Sequence, residues 1–280
     1  MTTKAFQKTI FDYYRKNRRT FPWRSPSLQF RRGSKNLDPY KILVSEIMLQ
    51  QTQTLRAIPK YENWISHFPT FESLAQAPLQ QVLKEWKGLG YNSRALRLHQ
   101  AAKIVVDKYN GKLPADYETI LALPGIGPYT AGAVMAFAFN KPFPIIETNI
   151  RTVFIHFYFK NRGPTSVTIH DKEILELVKK TLPEKNSRDW YYALMDYGVM
   201  LKKTVGNLNI KSRHYTKQSQ FKGSNRELRA KILHLITQAP VSLTAIQANI
   251  IADPEKIETT LSKLQQEGFI KKLKTVYYIH

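Results

Sequence analysis

Apolar positions between residues 38 and 49 recur at helical spacing. Asp38 precedes Pro39, and Tyr40, Leu43, Val44, Ile47 and Met48 then follow the i, i+3, i+4, i+7, i+8 pattern of one buried face. Proline suits the first helical turn because the amide it lacks would have no partner there. Glu46 lies beside this apolar face. The same period predicts helices from Ile58 to His67, Leu79 to Trp86, Ser93 to Tyr109, Tyr117 to Leu123, Pro128 to Phe139, Asn149 to Phe159, Asp171 to Thr181 and Asp189 to Leu201. Turn signals at Gly88, Gly90, Gly111, Gly125, Gly127 and Gly163 separate them. The chain reads as mainly α as far as residue 200.

A polar stretch, Leu201 to Ser224, follows. Ser224 and Glu227 then have the spacing of a capping box, opening a helix with Leu228, Ile232, Leu235 and Ile236 on one side. Ser242 is placed to cap a short helix, and Asp253-Pro254 to open a longer one carrying Ile257, Leu261 and Leu264, which Gly268 ends. Phe269 to Ile279 alternates as a short hairpin around Lys271, Lys272 and Lys274. Three helices and a hairpin predict a small winged-helix domain, so the chain divides into residues 1–200, a linker 201–224 and a second domain 225–280.

Charge narrows the function. The 280 residues hold 43 Lys+Arg against 21 Asp+Glu, a formal charge of +22. This excess calls for a polyanionic partner, and the cations are clustered. Arg15, Lys16, Arg18, Arg19, Arg24, Arg31, Arg32 and Lys35 lie in an interval without an acid, as do Lys202, Lys203, Lys211, Arg213, Lys217 and Lys222. Phe21, Trp23, Phe30, Tyr215 and Phe221 are interleaved with them, the pattern of a surface that follows a phosphate backbone. Cysteine is absent from the sequence, which excludes disulfides, a thiol nucleophile and thiolate-bound zinc or iron-sulfur clusters. The seven histidines have no metal-ligand spacing, and neither a metal nor a cofactor is expected. Met1-Thr2-Thr3-Lys4 opens no apolar leader, and the longest apolar run, Ala133 to Phe139, is far shorter than a membrane span. The expectation is a soluble monomer in the cytoplasm, associated with the nucleoid.

Leu123-Pro124-Gly125-Ile126-Gly127-Pro128-Tyr129-Thr130 joins two predicted helices. Gly125 suits a positive φ, Gly127 leaves room for close approach, and Pro128 begins a helix whose N-terminal amides and dipole can hold one phosphate. Ala131, Gly132, Ala133 and Ala136 then permit close helix packing.

These segments, with Phe21-Pro22-Trp23-Arg24, Asp38-Pro39-Tyr40, the run Val44 to Gln53, Gly88-Leu89-Gly90-Tyr91 and Pro144 to Val153, resemble the helix-hairpin-helix glycosylases of the endonuclease III superfamily. The likeness spans residues 6 to 200, and Ser45-Glu46-Ile47-Met48-Leu49-Gln50-Gln51-Thr52-Gln53 is similar to the MutY-type adenine DNA glycosylases in particular. The resemblance implies a helical glycosylase fold of two subdomains with a cleft between them. It also implies hydrolysis of the N-glycosidic bond of a flipped adenine opposite G or 8-oxoguanine in double-stranded DNA. Glu46 becomes the general acid that protonates the base, a residue type suited to the work where burial raises its pKa.

The family's second carboxylate, an Asp that stabilises the cationic sugar, falls on Glu147, whose extra methylene must fold back or act on a displaced sugar. Asn149 matches a residue that holds this region and the backbone. Tyr129 stands where bifunctional relatives carry a Schiff-base lysine, so strand cleavage is not expected. Gln50, Gln51 and Tyr91 match residues that wedge into the duplex and support the flipped base. Arg24, Gly125, Gly127, Lys211, Arg213 and Lys217 are expected on the DNA. Two family features are missing: the four cysteines of an iron-sulfur cluster, replaced by Leu201 to Ser224, and the Nudix-like C-terminal domain. A thymine or uracil mismatch glycosylase and a non-catalytic DNA-binding protein are the competing expectations.

Overall fold

A computed structural model describes residues 1–24, 36–160, 168–217 and 220–280. Phe30, Arg31, Arg32, Lys35 and Gly163 lie outside the described residues. Fourteen helices are present among those described: α1 Thr3–Asn17, α2 Pro39–Leu49, α3 Thr54–His67, α4 Phe71–Gln76, α5 Leu79–Trp86, α6 Ser93–Tyr109, α7 Tyr117–Leu121, α8 Pro128–Phe137, α9 Thr148–Tyr158, α10 Asp171–Thr181, α11 Ser187–Thr204, α12 Asn225–Gln238, α13 Leu243–Asn249 and α14 Pro254–Gln266. Short strands β1 Val241–Ser242, β2 Ile270–Leu273 and β3 Val276–Ile279 make one antiparallel sheet in the order β1-β3-β2.

The helices forecast by periodicity are all present, three of them, α5, α6 and α10, with the forecast bounds. α3 begins four residues earlier than Ile58 because Pro59 is accommodated inside it. Asp38 caps α2, its Oδ1 accepting from Tyr40 N at 2.9 Å. The Ser224 cap forms only in part as a box. Ser224 Oγ accepts from Glu227 N at 3.4 Å, but Glu227 Oε2 reaches past the cap to Gly223 N at 2.6 Å. β1 was not legible because two residues carry no alternation.

The chain forms two compact units, Met1–Glu46 with Leu113–Lys217, and Ile47–Lys112 with Gln218–His280. In the first, Phe6 meets Phe154, Phe157, Tyr158 and Trp190 edge-on at 5.2–5.5 Å between ring centres. Glycines let its helices close up. A Cβ on Gly198 of α11 would lie 2.4 Å from the backbone oxygen of Asn149, and one on Gly132 of α8 would lie 2.6 Å from Ile145 Cγ2. The first contact lies in the opening turn of α9 and the second in the chain that leads into it.

In the second unit, Trp64 stands edge-on to Phe68 at 4.9 Å and to Trp86 at 5.3 Å. Arg94 of α6 serves two chain turns at once. Its Nη1 donates to the carbonyls of Ile47, Met48 and Gln50, and its Nη2 to those of Leu89 and Gly90, at 2.7–3.3 Å. The first three are terminal carbonyls of α2, which have no partners within the helix and are favoured by a cation. Burial lowers the Arg94 pKa to about 10, leaving the side chain charged at neutral pH.

Gly198→Ala should destabilise the protein by about 2 kcal/mol, because backbone and not a flexible side chain must give way. Gly127→Ala, where an added Cβ meets nothing within 4 Å, should cost far less. Urea unfolding of both variants measures the contrast.

Candidate active site

α2 presents Glu46 in the first unit, 8% exposed, among the buried Leu43, Val44 and Ile42. The apolar face that folds the helix is thus what desolvates the carboxyl. Burial is the main cause that lifts its pKa from 4.5 to about 7, and the nearby charge of Glu147 adds to the rise. A hydrogen bond from Tyr129 and the charge of Arg24 oppose it. Glu46 therefore keeps its proton well above the usual carboxylate range.

Tyr129 is the second residue of α8, whose start is fixed by the hairpin before it. Gly125 has φ +77, Gly127 is the N-cap without a side-chain cap bond, and Pro128 takes the first helical position, as the motif predicts. Tyr129 Oη donates to Glu46 Oε2 at 3.1 Å. Burial, followed by the charge of Glu46, drives the phenol pKa well above 10, so it remains a donor.

Glu147 caps α9 with a side chain that folds back. Its Oε1 accepts from the amides of Asn149 and Ile150, both at 2.8 Å. Its Oε2 accepts from Thr148 Oγ1 at 3.0 Å and Asn149 Nδ2 at 3.1 Å. Four donors occupy the carboxylate's four acceptor positions. The extra methylene is taken up in this fold-back, one of the two outcomes open from sequence.

The segment before Glu147 is pinned by α11: Tyr191 Oη donates to Phe143 O at 2.7 Å and accepts from Ile145 N at 3.2 Å. Behind α9, the 3-10 helix Leu208–Lys211 contributes Asn209, whose Nδ2 donates to Thr148 O at 3.1 Å and to Thr152 Oγ1 at 2.8 Å. The Cys-free stretch is thereby tied to the helix that Glu147 caps. It offers no thiolate to an iron-sulfur cluster.

Arg24 faces inward. Its side chain is 8% exposed, and the guanidinium donates to Asp196 Oδ1 at 2.9 Å and lies 4.4 Å over the Tyr192 ring. Arg19 completes the pair, with its backbone N at 2.8 Å from Asp196 Oδ2 and its Nε at 2.7 Å from Oδ1. Within the chain, the charge of Arg24, expected on the DNA, is matched by the buried carboxylate of Asp196. Asp196, Tyr192 and Asn209 were not picked out from sequence, and Arg19 entered only as one of a basic run. For Asp196 a signal existed: it falls four residues after Tyr192 and three after Ala193, on a stripe that is otherwise apolar.

Among the cations of the second basic stretch, Arg213 and Lys217 are exposed and Lys211 partly so. Gln50, Gln51 and Tyr91 belong to the second unit and are brought together by Arg94, which grips both of their turns. Gln51 and Tyr91 have φ +54 and +47, a conformation that costs energy for residues with a side chain and collects at functional sites.

Comparison with known proteins agrees with this geometry. Residues 44–180 match the family described as HhH-GPD superfamily base excision DNA repair protein. An adenine DNA glycosylase of Buchnera aphidicola is 39% identical over 206 residues, covering 72% of this chain and 54% of its own length. The chain thus spans about half of that relative. An adenine DNA glycosylase of Mycolicibacterium smegmatis is 28% identical over 94% of this chain and 91% of its own. The solved structure of a thermostable thymine-DNA glycosylase aligns with a TM-score of 0.59 and 31% identity, over 71% of this chain and 86% of its own. With the helix-hairpin-helix, the buried Glu46 and these likenesses in register, the chain belongs to the HhH-GPD superfamily of base excision DNA repair proteins.

Proposed function

We propose that the protein is a monofunctional DNA glycosylase that hydrolyses the N-glycosidic bond of a flipped adenine opposite G or 8-oxoguanine. The single observation that carries this is the Glu46–Tyr129 pair, an acid poised at about pH 7 with a phenol holding one of its oxygens. Tyr129 donates to Oε2, so the acid proton belongs on Oε1 and is free for a ring nitrogen of the base. Protonation turns the base into a neutral leaving group. The sugar then develops positive charge, which Glu147 stabilises through space. Because all its acceptor positions are taken by donors of α9, Glu147 is better suited to act as a fixed charge than as a covalent nucleophile.

Residues 1–200 form the catalytic domain in this reading, with Gly125, Gly127 and the α8 amides on one phosphate, and Lys211, Arg213 and Lys217 of the linker 201–224 on others. Gln50, Gln51 and Tyr91 fill the stack left by the base. Residues 225–280 form the winged helix; their order of helix, strand, two helices and hairpin supports that assignment.

The likeness to a thymine-DNA glycosylase favours a second reading, release of T or U from mismatches on the same scaffold. A single-turnover assay on A·G, A·8-oxoguanine, T·G and U·G duplexes, developed with and without alkali, separates the two. The expected product is an abasic site in an uncut strand, and borohydride should trap no adduct because Tyr129 has replaced the amine. Trapping would place a lysine nucleophile in the reaction and end the monofunctional assignment.

The rate should be level below pH 6 and fall as pH rises through about 7, where Glu46 loses its proton. Stability follows the same group with a definite sign. The folded protein holds this proton more tightly than the unfolded chain, so the favourable contribution is complete below pH 4.5 and is lost as pH rises through about 7. The swing is at most about 3 kcal/mol. Glu46→Gln should abolish base release, and its melting temperature should fall less between pH 5 and 8 than that of the wild type.

Glu147→Gln should slow single-turnover release by about a hundredfold or more, since the charge is lost. Its amide would also meet the Asn149 amide. Aspartate caps a helix through the same backbone amides, so Glu147→Asp should remain within about tenfold of wild type. If Glu147→Gln matched the wild-type rate with unchanged DNA affinity, Glu147 would be a cap and nothing more.

A further inference from the structure

Residues 220–280 share a compact unit with residues 47–112, and α12 rests on α5 and on the turn that follows it. Gln80 Nε2 donates to Thr237 O at 2.8 Å, and Lys87 Nζ to His234 Nε2 at 3.2 Å. At the start of α12, Arg226 Nη1 donates to Tyr91 Oη at 2.6 Å, with the guanidinium 5.3 Å from the centre of the Tyr91 ring and 6.0 Å from that of Phe221. Tyr91 is 37% exposed on a turn whose carbonyls Arg94 grips, and the Arg94 guanidinium lies 5.6 Å from the same ring. One arginine therefore fixes the backbone of this turn, and another fixes the tip of its aromatic side chain.

The C-terminal module is poorly charged for reading a groove in the manner of helix-turn-helix proteins. Such proteins place a helix among the phosphates. The corresponding segment here, Asp253 to Glu267, has the carboxylates Asp253, Glu255, Glu258 and Glu267 against Lys256 and Lys263. Glu267 also holds Arg229 in a two-point ion pair, at 2.6 and 2.9 Å. Phosphate repulsion opposes groove entry by α14.

We infer that Arg226 is a positioning residue that presets the Tyr91 ring for insertion into the duplex, so that the C-terminal module controls base extrusion through one side chain. The inference rests on the base-extruding glycosylase reading above. Its physical basis is preorganisation: an exposed tyrosine held before binding gives up less freedom on insertion, and its ring still offers a face for stacking.

Stopped-flow fluorescence of the full chain on a duplex with 2-aminopurine beside an A·G mismatch tests this, with base release measured in parallel. Arg226→Ala and Tyr91→Phe should each slow the extrusion phase about tenfold, and the double variant should be no slower than the slower single, because both remove one interaction. Arg226→Lys keeps a donor and should recover part of the loss. The salt dependence of equilibrium binding should remain that of the wild type. Additive effects near a hundredfold overturn the inference. So does an Arg226→Ala variant with wild-type extrusion and a salt slope reduced by about one, the mark of an ordinary phosphate contact. Extrusion by the wild type without base release would sink the glycosylase reading and leave the coupling measured, whereas a wild type that gives no extrusion phase sinks both.

Discussion

Removal of one carboxyl group from water is the constraint on which the first unit depends. Glu46 lies beside the apolar stripe that folds α2, and burial there raises the acid's pKa to about 7. Such a group destabilises the fold whenever it is ionised, and the surrounding side chains are arranged to limit the cost without abolishing it. Tyr129 donates one hydrogen bond. Arg24 is near enough to lower the pKa, but its guanidinium is bound to Asp196, and a matched pair pulls less on a neighbouring proton than a bare cation. A free arginine at that point would favour the ionised acid and lower its pKa further.

The second carboxylate has the opposite surroundings. Glu147 is supplied with four donors, and the chain on either side is fixed by Tyr191, by the space left at Gly132 and Gly198, and by Asn209. Two acids with contrasting environments are what the proposed reaction calls for, one to donate a proton and one to stand as a fixed charge. The longer side chain of Glu147 folds back onto its own helix.

Much of this was legible from residue order. Helix spacing, the proline starts and the glycine turn all act over a few residues, and they located α2, α8 and the hairpin between α7 and α8. Glu46 was recognisable only through the surrounding motif, since a lone Glu beside an apolar stripe carries little information. The partners joined over long sequence separations were not legible: Asp196 with Arg19 and Arg24, Asn209 with Thr148 and Thr152, and Arg226 with Tyr91 are set by tertiary packing. The pairing of Arg24 with Asp196 was not legible either, because a basic residue within a basic run gives no sign of a carboxylate partner far along the chain.

The Cys-free stretch is attached to α9 by local bonds. Leu208–Lys211 carries one buried amide, that of Asn209, which bonds to α9. Asn209 is effective because both of its partners lie on the first turns of α9, where the carbonyl of Thr148 and the hydroxyl of Thr152 are one helical turn apart. Backbone bonds between Ile169 and the residues Lys211 and Arg213, at 2.9 and 3.0 Å, hold the rest of the segment in line. The attachment therefore supports the helix that carries Glu147 at its head, and it leaves the ammonium and guanidinium groups of Lys217 and Arg213 in solvent. Anchoring and charge presentation are divided between different side chains of one short segment, so either can change in sequence without loss of the other.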